Sequence, residues 1–202
     1  MIIIGLTGGL ASGKTRIAKM FADLGAQVLH ADSIAHRALF KNTYCYKQVI
    51  GKFGKSILNA DGSINRKKLA RLAFSSDKKQ QQLCRVIHPW VFAYIREKIE
   101  KIEKNKAVKA VIIEAVMLIE SGLYKDMDKI LVVRSTAAQQ ISRATLERRM
   151  TQAQVKQRMR FQLGFTQKSR YADYIIDNRG ALKDTEKKAK KIWELILRKN
   201  NL

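Results

Sequence analysis

The sequence predicts an α/β protein of the doubly wound kind, a five-stranded parallel sheet with helices on its faces. Three observations carry this reading. Short apolar, β-branched runs recur at the start and near 26–32, 108–114, 129–133 and 172–178, with helical segments between them. The first run leads directly into a glycine-rich stretch that opens a helix. The segment between the second and third runs is too long for a simple crossover, so a helical insertion interrupts the sheet.

The elements follow in order. Residues 1–7, rich in isoleucine and stopped by glycine, read as a buried strand. A helix starts at about Lys14, presents Ile17, Ala18, Phe21 and Leu24 on one face, and ends at Gly25. "AQVLHAD" is a second strand leading to Asp32. Residues 33–104 are mostly helical and basic, interrupted by the turn "NADGS" at 59–63, and hold the single proline, Pro89. "AVKAVIIEAVMLIE" carries the third strand at about 108–114, and "KILVV" at 129–133 is the fourth. Arginine-rich helical sequence runs on to about Gly164, and "ADYIIDN" supplies the fifth strand. A last helix from about Leu182 places Ala189, Ile192, Trp193, Ile196 and Leu197 at helical spacing, so it packs on the sheet.

The 202 residues suffice for one substantial core, and 46% hydrophobic with 28% charged residues is ordinary for a globular domain. No apolar run approaches the roughly 18 residues of a membrane span. The N-terminal stretch lacks a cationic start and a small-residue cleavage site, so the expected location is cytoplasmic. Cys45 and Cys84 are far apart without CxxC spacing, which fits two ordinary thiols in a reducing compartment. Forty Lys and Arg against seventeen Asp and Glu give a net charge of +23. Such a surface attracts polyanions, either nucleic acid or a phosphorylated small molecule. The basic residues are spread along the chain rather than gathered in an arm with stacking aromatics, so no specific nucleic-acid site is expected. A plain compositional preference for lysine reads equally well.

Residues 8–15, "GGLASGKT", match G-x-x-x-x-G-K-[ST] in full. Gly8, Gly9, Leu10 and Ala11 lead through Ser12 and Gly13 to Lys14, Thr15 and Arg16. Gly8 and Gly13 permit backbone conformations that turn successive N–H groups onto phosphate oxygens, and the helix N-terminus adds its positive end. Lys14 is expected to reach the β- and γ-phosphates of ATP or GTP, and the Thr15 hydroxyl to hold Mg²⁺. A second group must act on the acceptor. Asp32 lies where open α/β sheets place their ligand crevice, and its carboxylate could take a hydroxyl proton or help hold magnesium. It could equally cap the helix that begins at Ser33.

Taken together, the motifs resemble the dephospho-CoA kinase family from Ile4 to about Ala181. "GLTGGLASGKT" is similar to that family's "GLTGGIGSGKS", and "FADLGAQVLHADSIAHRAL" to the segment that follows it. "FGKSILNADGSINRKKLARLAF", "VIHPWV", "VMLIESGLY" and "ADYIIDNRG" resemble later family motifs in the same order and spacing. The resemblance implies ATP-dependent phosphorylation of the ribose 3′-hydroxyl of dephospho-CoA, with Mg²⁺, giving CoA and ADP. It implies that residues 11–16 bind ATP and that Asp32 activates the hydroxyl. It implies that Arg66 and His88 belong to a helical substrate-binding insertion at about 41–105. Arginine pairs bidentately with phosphate, whereas a histidine before proline could also simply buttress its helix. The resemblance further implies a helical lid at about 139–165, carrying Arg143, Arg148 and Arg149, that closes over ATP and excludes water. Core segments at about 1–40, 106–138 and 166–202 complete a single kinase domain. Asn178 either borders the adenine pocket or serves as a turn residue before Gly180.

Several positions depart from the family pattern. Ala11 stands where glycine is common. His30 replaces the first carboxylate of "DAD", Asn65 the aspartate of "DR", and Val116 the proline of "PLL". Aligning Gln140 and Gln162 with the family's glutamines puts Glu147 where an arginine is usual, so Arg148 or Arg149 must serve instead. Two alternatives stay open on the residues alone. One is a kinase for nucleosides or nucleoside monophosphates, and the other a nucleic-acid-binding protein switched by nucleotide.

Overall fold

The computed structural model describes residues 1–200; residues 201 and 202 and the side chain of Arg148 lie outside the described residues. Five strands form one sheet: β1 (Ile2–Gly8), β2 (Gln27–His30), β3 (Ala110–Glu114), β4 (Lys129–Arg134) and β5 (Tyr174–Asp177). Their order is β2-β3-β1-β4-β5 and every pairing is parallel. Parallel strands are covered on both faces and therefore read as unbroken apolar runs; Ile4, Leu6, Ile112 and Leu131 are fully buried. The chain leaves β1 toward β2 and leaves β3 toward β4, on opposite sides. The carboxyl ends of β1 and β3 thus flank the point where strand order reverses, the place where such sheets bind ligands.

The helices are α1 (Lys14–Asp23), α2 (Ala31–Arg37), α3 (Tyr44–Phe53), α4 (Arg66–Ala73), α5 (Asp77–Glu103), α6 (Ala137–Arg148), α7 (Gln152–Arg160), α8 (Phe165–Ser169) and α9 (Leu182–Lys199). Among them, α1 and α9 cover one face of the sheet. Ile17, Ala18 and Phe21 join Ala189, Trp193 and Ile196 in a cluster with Ile4, Leu6, Ile112 and Leu131. The rings of Phe21 and Trp193 lie 5.8 Å apart at 46°, a tilted contact typical of aromatic pairs.

The chain divides into two compact units, Met1–His30 with Ile99–Leu202, and Ala31–Lys98. The first holds the sheet and the glycine-rich loop. The second holds α2, α3, α4 and most of α5. Within it the turn at 59–63 is closed by an antiparallel bridge between Leu58 and Ile64, and the Asp61 carboxylate accepts from the Ser63 N–H at 2.9 Å. Asn65 caps α4 by accepting from the N–H groups of Lys67 and Lys68 at 3.1 and 3.0 Å. Helix α5 continues through Pro89, although proline offers no N–H to the carbonyl four residues back.

Two local features differ from the sequence reading. The strand before Asp32 stops at His30, and Asp32 occupies the first turn of α2. The arginine-rich helical stretch expected to run to about Gly164 is two helices, α6 and α7, and a third, α8, follows it. Arg149 takes the left-handed conformation, φ 51°, and ends α6; Thr151 caps α7 in a reciprocal box with Gln154, and Gly164 opens α8. A left-handed residue followed by a strong N-cap is a stop and a restart that helical periodicity alone does not register.

Candidate active site

The glycine-rich loop links β1, which ends at Gly8, to α1, which begins at Lys14, and Gly13 caps the helix at φ 96°. Lys14 is buried, and its Nζ donates to the Gly9 carbonyl at 2.9 Å. The cation is therefore held inside the curve of the loop. Ser12 Oγ is the buried side-chain polar atom left without a partner among the described residues. A buried hydroxyl without a partner costs free energy, and an anion in the loop would satisfy it. Loop N–H groups, the N-terminus of α1, Lys14 and Ser12 together are the donor set that a polyphosphate requires.

Around this loop the structure gathers groups that the motif does not mention. At the end of β3, buried Glu114 accepts a hydrogen bond from Thr15 Oγ1 at 3.1 Å through one oxygen. Its other oxygen meets His30 Nδ1 at 2.5 Å. His30 and Glu114 are directly paired across β2 and β3. The imidazole that replaces the family's first "DAD" carboxylate thus faces a carboxylate on the neighbouring strand. Sequence reading passed over Glu114, although an acidic residue closing the apolar run "AVIIE" was a usable signal.

From the other side, Asn178 is buried. Its Nδ2 donates to the Ser12 carbonyl at 2.8 Å, and its Oδ1 accepts from Thr185 Oγ1 at 3.1 Å. Arg143 donates to the same Ser12 carbonyl at 3.4 Å and to the Asn178 carbonyl at 3.3 Å. Residues 11–16, Arg143, Glu147 and Asn178 line one concavity. Gln162 Oε1 accepts from the Leu10 N–H at 2.9 Å, and Gln140 lies so close to Gly9 that any side chain there would collide with it. Leu10 and Ala11 pack with Ala144, Met150 and Val155, which fastens α6 and α7 to the loop. Arg149 is exposed and its backbone makes the turn after α6, and the side chain of Arg148 lies outside the described residues.

Beneath the loop, Lys168 is fully buried and donates to the Val116 carbonyl at 2.5 Å and to Glu120 Oε2 at 3.0 Å. Glu120 also accepts from the Leu163 N–H at 2.8 Å. Burial of a cation requires such a partner. Further along, Arg179 holds the Asp177 carboxyl well down, to about 2.

The second unit carries its own polar group. Asp32 is exposed on the first turn of α2, and His36 follows one turn later on the same face. Arg66 Nη2 lies 2.8 Å from His36 Nε2. A guanidinium only donates, so Nε2 is the acceptor and its proton sits elsewhere on the ring. Imidazole and guanidinium are thereby brought together, with the Asp32 carboxylate one turn away on the same helix, and His36 is the member that sequence reading did not single out. His88 lies mid-way along α5, half-buried and stacked on Phe92 at 5.9 Å, and burial pushes its pKa down.

Comparison with known proteins gives a consistent result. The family model described as "Dephospho-CoA kinase" matches residues 2–184. The chain is 39% identical to a dephospho-CoA kinase of Aquifex aeolicus, over 96% of this chain and 97% of that protein. It is 35% identical to one of Fusobacterium nucleatum, over 97% and 99%. Among solved structures, a protein of Thermus thermophilus superposes with a TM-score of 0.81 at 27% identity, covering 97% of each chain. Dephospho-CoA kinase of Campylobacter jejuni superposes with a TM-score of 0.70 at 26% identity, covering 98% of each. A shikimate kinase of Acinetobacter baumannii, with a TM-score of 0.57 at 15% identity, shares the fold alone. With the phosphate loop, the order of strands and near full-length relatives all in agreement, the chain belongs to the dephospho-CoA kinase family.

Proposed function

We propose a division of labour among these residues for one reaction, the phosphorylation of dephospho-CoA by ATP to give CoA and ADP, with the ribose 3′-hydroxyl as acceptor. Family membership along the whole chain supports the reaction. The observation that carries the donor half is the phosphate loop, with a buried lysine inside it and an unpartnered serine hydroxyl. The segment from Gly8 through Arg16 binds the ATP phosphates. Lys14 exchanges its bond to the Gly9 carbonyl for the β- and γ-oxygens, and so offsets charge as the phosphoryl group moves.

Thr15 and Glu114 are hard oxygen donors of the kind that suits Mg²⁺, which is usually held by one or two carboxylates and the substrate's phosphates. Bound there, the ion would neutralise charge on the β- and γ-oxygens. Thr15 would hold it, with Glu114 as the carboxylate available to it or to its waters.

The insertion supplies the acceptor half. Asp32 takes the proton of the 3′-hydroxyl. Arg66, steadied by His36, anchors an anionic group of the substrate through paired guanidinium donors. His88 contributes to the substrate-binding helix through its place on α5. Arg143 and its neighbours on the lid at 139–165 bring positive charge over the phosphates, and closure keeps water from the transferring group. The reaction belongs to the cytoplasm, in keeping with two cysteines that are both unbridged. No helix of the described residues is long and apolar enough to cross a membrane.

A coupled ADP-release assay across acceptors is the direct test. Release should depend on dephospho-CoA and disappear in Asp32→Ala. Stimulation by nucleosides or nucleoside monophosphates, with none by dephospho-CoA, would replace this reading with that of a nucleotide kinase.

A further inference from the structure

We infer that Asn178 is a positioning residue that locks the orientation of one peptide group, Ser12–Gly13, in the phosphate loop. The inference rests on the reading of that loop as the ATP cradle and adds how the cradle is kept formed before nucleotide arrives.

The peptide bonds among the described residues are trans, so the carbonyl of Ser12 and the N–H of Gly13 point in opposite directions. Whatever holds the carbonyl therefore aims the N–H. Two donors converge on the Ser12 oxygen, Asn178 Nδ2 at 2.8 Å and Arg143 Nη1 at 3.4 Å. Such a lock is needed at this position because Gly13 sits at φ 96°, and glycine has little steric preference of its own between alternative peptide orientations. A flipped peptide would turn the partial negative charge of the carbonyl onto the phosphate and remove the N–H at the start of α1, where an anion is best bound.

The amide is itself fixed in one sense. The Ser12 carbonyl can only accept, which assigns Nδ2 to it, and Thr185 Oγ1 supplies the donor at 3.1 Å for Oδ1. Asn178 is buried, which limits competition from water for both contacts. Gly13 must also lack a side chain for Asn178 to come this close, since an added Cβ would collide with Nδ2. Each polar end of Asn178 thus makes a contact within the protein, and the Nδ2 contact gives it a route to the nucleotide through the loop.

The experiment is binding of a fluorescent ADP analogue to wild type, Asn178→Ala and Asn178→Asp, with KM for both substrates and thermal unfolding of each. Asn178→Ala removes one donor and leaves Arg143, and a loss of about tenfold in ADP affinity is expected, the worth of an ordinary hydrogen bond. Asn178→Asp sets an acceptor against an acceptor and should lose more, roughly a hundredfold. In both, KM for ATP rises and KM for dephospho-CoA stays within twofold. Ile192→Ala on α9 is the control for stability alone, lowering the unfolding temperature with both KM values unchanged. ADP affinity within twofold of wild type in folded Asn178→Asp would overturn the inference, as would equal rises in the two KM values. Failure of wild type to bind ADP at all would instead overturn the reading of the loop.

Discussion

Lys14 shows how much a single side chain can be asked to do. It is buried and held by a loop carbonyl, so its charge is already in place inside the loop. Lys14→Ala should lower kcat by roughly 10²–10³-fold, the usual cost of losing one preorganised donor to developing charge. Single-turnover kinetics with saturating ATP would show this, and an unchanged kcat would remove Lys14 from the mechanism. Ala11 is a different case. It takes the left-handed conformation at φ 53°, a backbone shape that suits glycine; in alanine the strain costs about 1–2 kcal/mol. Its methyl is buried against Ala144 and Val155, which returns about 0.8 kcal/mol. Burial returns part of the strain, and the methyl ties the loop to α6 and α7. At the end of β5, Arg179 lowers the Asp177 pKa from 3.8 to about 2. A carboxyl depressed on folding contributes stability above its unfolded pKa and loses it as pH falls through the folded one. Asp177→Asn should therefore lower the unfolding temperature at pH 7, and the difference from wild type should shrink between pH 4 and pH 2. A constant difference across that range would show that the ion pair is not its source.

At the scale of elements, α5 carries an anomaly that can be measured. It runs from Asp77 to Glu103 through Pro89, and an interior proline costs a helix about 3 kcal/mol. Pro89→Ala should therefore raise stability by roughly 1–3 kcal/mol in urea unfolding. A lower midpoint in the variant would mean that the ring makes packing contacts worth more than the missing hydrogen bond. Helices also show where sequence reading succeeds. Helix α1 and helix α9 stood out because their apolar residues repeat on one face, and each buries that face against the sheet. The break between α6 and α7 was not visible, because a left-handed residue at Arg149 leaves no mark on helical periodicity, and the two helices it joins pack together on the loop. The same holds for Asp32. The second strand was legible to His30, but whether the next residues extend or coil depends on Ala31 and Ile34 being buried.

For the molecule as a whole, a charge of +23 raises the local concentration of any anion, and both substrates of the proposed reaction carry several negative charges. Raising ionic strength should increase KM for ATP and dephospho-CoA severalfold while kcat holds, because screening weakens attraction at a distance more than contacts in a closed site. Random duplex DNA should bind no more tightly than micromolar at physiological salt; nanomolar affinity there would assign the charge to nucleic acid. The sequence by itself determined the class of fold, the donor loop and the family, because these rest on local periodicity, on a contiguous motif and on ordered segments. Only tertiary structure decided which side chains complete the site. Glu114 reaches Thr15 from 99 residues away, Asn178 reaches Ser12 from 166 away, and His36 meets Arg66 from 30 away. The sheet and the turns of the insertion set those meetings, and a pattern read along the chain does not contain the distance between its ends.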